Sequence, residues 1–88
     1  MYKANFTNRF KKDYKICERR GFDMGAFETV FDILIKTGNL PSKYRPHNLS
    51  GNYKGFVGAH IKADWILIYA IRNNEIDFVR MGTHSDLF

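Results

Sequence analysis

Trp65-Ile66-Leu67-Ile68-Tyr69-Ala70-Ile71 is an unbroken apolar run rich in β-branched and aromatic side chains, and its reading decides the fold. Without a polar face, it predicts a central strand covered on both sides. Downstream, Asn73-Asn74 reads as a hairpin turn. Glu75 to Met81 then alternates, which predicts a strand with Ile76, Phe78 and Arg80 on one face and Asp77, Val79 and Met81 on the other. Upstream, Tyr53 to Ile61 predicts another strand, interrupted by Gly55 and Gly58, where a bulge or a close backbone approach is expected. Asn39 to Asn52 is rich in Pro, Ser, Asn and Gly and predicts a long loop with a brief extended stretch near His47 and Leu49.

The first 38 residues have a different period. Tyr2 to Phe6 predicts a short strand, with Tyr2, Ala4 and Phe6 on one face. Thr7 offers an N-cap, and Phe10, Tyr14 and Cys17 recur at helical spacing until Gly21 supplies a stop. Asp23 caps a second helix, whose stripe of Met24, Phe27, Val30, Phe31, Leu34 and Ile35 ends at Gly38. The order is strand, two-helix hairpin, then antiparallel strand meander, with the helices expected on one sheet face: an α+β fold.

Eighty-eight residues support one hydrophobic core, so the prediction is a single domain over residues 1–88. A composition 44% hydrophobic and 16% aromatic, with two prolines, belongs to a folded globular chain rather than a disordered one. The single cysteine, Cys17, cannot close an internal disulfide, and its place on an apolar helix face suits core packing in a reducing cytoplasm. No apolar run approaches a membrane span, and the basic N-terminus leads into an amphipathic segment rather than a signal-peptide core, so neither secretion nor membrane insertion is expected.

The net charge of +5 is local. Lys3, Arg9, Lys11, Lys12, Lys15, Arg19 and Arg20 face only Asp13 and Glu18 within the first 20 residues, while the rest of the chain is balanced. Such a surface suits a polyanion or an acidic protein partner, or is simply a solvated lysine-rich helix face.

Phosphate loops, CxxC pairs, GxSxG and HExxH are all absent, so no cofactor is expected. The three histidines fall in the second half of the chain: His47 on the long loop, His60 near a strand end and His84 just past the last strand. Strand ends of one sheet can share a cleft, and imidazoles move protons at neutral pH. By position alone Asp64 serves equally to cap a turn, and Trp65 to fill the core. Three His and an Asp could ligate zinc, but without a close ligand pair no metal site is predicted.

The strings His47-Asn-Leu-Ser-Gly-Asn-Tyr53, Ala59-His60-Ile-Lys-Ala-Asp64-Trp65-Ile-Leu-Ile-Tyr69 and Met81-Gly82-Thr83-His84-Ser85-Asp86-Leu87-Phe88 resemble the YafQ-type branch of the RelE-family toxins of bacterial type II toxin–antitoxin systems. The resemblance implies a ribosome-dependent mRNA endoribonuclease that arrests translation. It also implies a DinJ- or RelB-like antitoxin as partner, and contact with operator DNA only through the antitoxin complex. Carried over residue by residue, it puts His47, His60, Asp64 and His84 in the active site and Trp65 and Phe88 in contact with RNA bases. Arg80 is added as a phosphate contact on charge and position alone, and Lys11, Lys12, Lys15, Arg19 and Arg20 as contacts to ribosomal RNA or the antitoxin. The chain departs from the family pattern at Val57 and Gly58, where relatives carry an Arg and an acidic residue. The alternative is a catalytically weak toxin-like module that serves as antitoxin partner and co-repressor.

Overall fold

A computed structural model describes all of residues 1–88. The order is β1 (Lys3–Phe6), α1 (Asn8–Arg19), α2 (Met24–Thr37), β2 (His47–Asn48), β3 (Val57–Lys62), β4 (Trp65–Arg72), β5 (Glu75–Gly82) and α3 (His84–Leu87). They form one five-stranded sheet in the order β1-β5-β4-β3-β2. β4 is its centre, as its apolar run predicts. The last four strands pair antiparallel, and β1 lies parallel to β5 at the outer edge, so the sheet is mixed.

The Thr7 and Gly21 signals act as expected, whereas Asp23 takes the N-cap position of α2 without a side-chain cap hydrogen bond. The Thr7 hydroxyl accepts the Phe10 N–H at 3.0 Å and donates to the Val79 carbonyl at 2.8 Å, capping α1 and fastening it to β5. Gly21 ends α1 in the left-handed conformation, where a β-carbon would be strained. Both long helices lie on one face of the sheet. Their core joins Phe10, Val30 and Leu34 to Leu67, Ile76 and Phe78, all nearly or wholly buried. Phe6, Phe10 and Phe31 crowd around Phe78 with ring centroids 5.3 to 5.9 Å apart. The opposite face carries a smaller cluster of Ile66, Ile68 and Leu87, roofed by Leu49, Tyr53 and Phe56 from the long loop. No helix is long and apolar enough to cross a membrane.

Two expectations need correction. The alternation along β5 does not run through: β5 has one extra residue opposite the Ile68–Tyr69 step, a bulge that brings Met81 onto the helix face with Phe78. Arg80 stays with Val79 on the other side, beside Tyr53. The strand expected from Tyr53 begins only at Val57, because Gly51–Tyr53 closes a 3-10 turn and Gly55 takes a left-handed φ of 95°.

Candidate active site

The face opposite the helices brings the three histidines together. β2 pairs His47 with Gly58 of β3, two residues before His60, and the two imidazoles stack with centroids 6.2 Å apart. The His47 Nδ1 lies 3.0 Å from the Arg45 carbonyl. A carbonyl only accepts, so this contact keeps the proton on Nδ1 and leaves Nε2 for a substrate. His60 is half-buried, and its Nδ1 is enclosed without a partner. Burial first, then the charges of Arg45, His47 and His84, hold its pKa below the ordinary imidazole value, with Asp64 opposing. These effects favour the neutral imidazole.

His84 enters the same cleft from α3. Asp64, in the turn between β3 and β4, accepts the His84 backbone N–H at 3.0 Å, so the turn expected from sequence also positions the next chain segment. Thr83 and Asp86 cap α3 reciprocally, the Asp86 carboxylate accepting the Thr83 N–H at 2.9 Å and the Thr83 hydroxyl the Asp86 N–H at 3.2 Å. Gly82 provides room for this turn: a β-carbon there would meet the Asp86 side chain at 2.9 Å. Phe88 leans on the His84 ring at 5.1 Å and meets Tyr53 edge-on at 5.5 Å, while 59% of it remains exposed.

Several side chains expected to touch RNA are engaged elsewhere. Trp65 is 3% exposed and points to the helix side, packed edge-on against Phe22 at 5.1 Å, so no base can stack on it in this fold. Leu67, two residues on and on the same face of β4, lies in the same core, so the first residue of this central strand is buried with it. Burial pushes the Cys17 thiol's pKa up and the nearby indole tempers the rise, although the indole N–H itself has no hydrogen-bond partner. Arg80 directs its guanidinium to Asp13, with Nε 2.7 Å from Oδ2 and Nη2 3.3 Å from Oδ1, and donates from Nη1 to the Tyr53 hydroxyl at 3.2 Å. Arg20 grips Asp86 with both terminal nitrogens at 2.6 and 3.2 Å, and this contact holds the Asp86 carboxyl well below the usual carboxylate range. Lys11, Lys12, Lys15 and Arg19 are exposed on α1, across the sheet from the histidines. Lys11 and Lys15 flank an apolar groove between α1 and α2.

Nothing in the sequence marks Tyr53 or Arg45 for this site. Asp13 had a signal: it follows Phe10 by three residues and precedes Cys17 by four, so it lies on the buried stripe of α1. A carboxylate 5% exposed on such a stripe requires a partner. No group of three or more His, Cys, Asp or Glu side chains is arranged to hold a metal ion.

Comparison with known proteins shows the family. The family model described as the bacterial toxin of type II toxin–antitoxin system, YafQ, matches residues 2–88. The mRNA interferase toxin YafQ of Escherichia coli K12 is 38% identical over 84 residues, covering 94% of this chain and 91% of its own length. The crystal structure of YafQ from E. coli BL21(DE3) superposes with a TM-score of 0.93 at 35% identity, covering 100% of this chain and 99% of that one. YafQ in the crystal structure of the E. coli DinJ–YafQ complex gives 0.91 at 35% identity, with the same coverage. By sequence, by fold and by the match along nearly its whole length, the chain belongs to the YafQ family of bacterial type II toxin–antitoxin toxins.

Proposed function

We propose that this toxin is an mRNA interferase that cuts messages at the ribosome and is neutralised by a DinJ-like antitoxin. The supporting observation is the convergence of His47, His60, His84 and Asp64 on one end of the sheet, beneath an exposed aromatic ring. Metal-free cleavage of RNA needs a base for the 2′-OH, a donor for the added charge on the phosphorane, and an acid for the 5′-oxygen. Neutral His60 takes the 2′ proton through Nε2, since its Nδ1 is enclosed. The 2′-oxygen attacks phosphorus, protonated His47 donates from Nε2 to the phosphoryl oxygens, and the bond to O5′ breaks as His84 gives it a proton. The products are a 2′,3′-cyclic phosphate and a 5′-hydroxyl.

Asp64 acts by positioning, through the His84 amide, and Phe88 supplies the stacking surface for a base. Arg80, paired with Asp13, holds Tyr53 under Phe88 rather than gripping a phosphate. The exposed cations of α1, remote from the cleft, suit ribosomal RNA phosphates. The setting is the cytoplasm, where ribosomes are found and a lone buried thiol stays reduced. Operator DNA is reached only as part of the antitoxin complex.

His84→Ala tests the reading. The ring is exposed and its helix is held by backbone contacts, so the variant should fold and bind antitoxin as the wild type does. Cleavage of ribosome-bound message should fall about 10²- to 10⁴-fold. Full-rate cutting, or a loss explained by unfolding, would refute the assignment.

A further inference from the structure

β2 covers only Val57 and Gly58 on the outer side of β3, so the edge from Ala59 to Lys62 has no strand beside it. A groove of about 720 Å³ fills that space, within the range of ligand sites. Gly25, Ala26 and Thr29 at the start of α2 form one wall, and the turn carrying Lys43, Tyr44 and Arg45 forms the other. His60 lines the groove too, so one end opens into the histidine cleft. Of the charged groups in its walls, Lys62 and Asp23 form an exposed ion pair at 3.7 Å, so the groove carries one carboxylate against three cations. Lys43 and Arg45 make no ion pair.

Arg45 sits in the left-handed region at φ 48°, unfavourable for a residue with a long side chain. The same conformation offers its carbonyl to His47 Nδ1 while the residue itself lines the groove, so one backbone geometry serves both the histidine pair and the cationic wall. Two cations without carboxylate partners, Lys43 resting over the Tyr44 ring at 5.1 Å, continue from a candidate proton-transfer site and fit a phosphodiester better than a neutral ligand. We infer that this groove binds the phosphate of a nucleotide flanking the cleaved bond, held by Lys43 and Arg45. The inference rests on the nuclease reading and adds a positioning site for the message strand that the histidines alone do not provide.

The test compares wild type with Lys43→Ala/Arg45→Ala at pH 8, where His60 is neutral in both proteins. On ribosome-bound message the double variant should raise KM about tenfold with kcat retained, as expected for lost charge-assisted contacts. The slope of log(1/KM) against log salt should flatten by about 0.7 per lost single-strand phosphate contact. Independently, His84→Ala protein is titrated by amide NMR with a trinucleotide carrying a 2′-deoxy central sugar. Shifts centred on Ala59 to Lys62 that vanish when Lys43→Ala/Arg45→Ala is added support the site. Unchanged KM and slope, or trinucleotide shifts elsewhere, overturn it. A wild type that fails to cut refutes the nuclease reading, and the titration still decides the groove. A double variant that cuts normally but loses antitoxin affinity assigns the groove to an acidic peptide instead, which also overturns the proposal.

Discussion

Removing the carboxylate of Asp13 should loosen α1 from β5. Its side chain is 5% exposed and Arg80 is 14% exposed, so the pair is desolvated on both sides. Asp13 also accepts the Met81 backbone N–H at 3.1 Å, at the bulge. Removing one partner of such a pair costs about 3–5 kcal/mol, because the other charge stays buried. Arg80 keeps the Tyr53 hydroxyl, which favours the lower end, while orphaning the Met81 amide adds about 1 kcal/mol. Asp13→Ala should therefore cost about 4 kcal/mol, a large part of the ~5–15 kcal/mol that stabilises a domain. At ~4–8 °C per kcal/mol, the melting temperature falls by at least about 16 °C. Asp13→Asn keeps an acceptor for Met81 and should lose about half as much. The assay is urea unfolding followed by fluorescence of the single tryptophan, Trp65, with Arg80→Ala and the double variant completing a cycle. A loss under about 1 kcal/mol for Asp13→Ala, with coupling within ~0.5 kcal/mol of zero, would refute the reasoning.

Three further outcomes are expected. Gly58→Asp, which restores the acidic residue of the family pattern, should cut more slowly than wild type. A β-carbon at position 58 lies 2.9 Å from Leu49 Cδ2, so Leu49 and the adjoining His47 strand must shift, and Leu49→Ala should recover the loss; a faster Gly58→Asp single variant would contradict this. NMR titration of His60 should give a midpoint below the ordinary value of ~6.5, raised in Arg45→Ala. Because the unfolded chain protonates this imidazole first, stability contributed by neutral His60 is full above about pH 6.5 and declines as pH falls toward the folded midpoint, which urea midpoints at pH 7.5 and 5.5 would show; a folded midpoint at or above 6.5 removes the basis for both. Arg20→Ala releases Asp86 and loosens the turn bearing His84, so cleavage should slow by up to about 10²-fold while the amides of Leu87 and Phe88 exchange faster. An altered salt slope of ribosome binding with unchanged exchange would instead return Arg20 to the RNA-facing set.

Local chemistry made most of the fold legible. The Thr7 cap, the Gly21 and Gly38 stops and the Asn73-Asn74 turn each depend on a few neighbouring residues, and each is found where the residues indicate. The β5 bulge was not legible, because an extra residue in a strand leaves no mark in a two-residue alternation that both faces tolerate. It decided the face of Met81 and Arg80. The histidines and Asp64 gather as their positions at loop and strand ends suggest. The partners of Arg20 and Arg80 were hidden for a different reason: a basic residue reads as free until the carboxylate that meets it, 66 or 67 positions away, is known. Trp65 belonged to the resemblance by its place beside Asp64, but strand alternation sends it to the opposite side of the sheet.

The sheet divides the molecule into layers of unequal strength. The helix side holds a core cluster of 13 buried residues, the other side one of three, roofed by loop and by the last turn of chain. Weakly packed regions open at lower free energy than the whole, so the layer that carries the histidines can come apart and close again while the helical layer stays intact. Trp65 belongs to the durable layer and would not register such openings. Enzymatic competence and foldedness are therefore separate properties of this chain, and gentle heating should switch off the first before any optical sign of the second is lost.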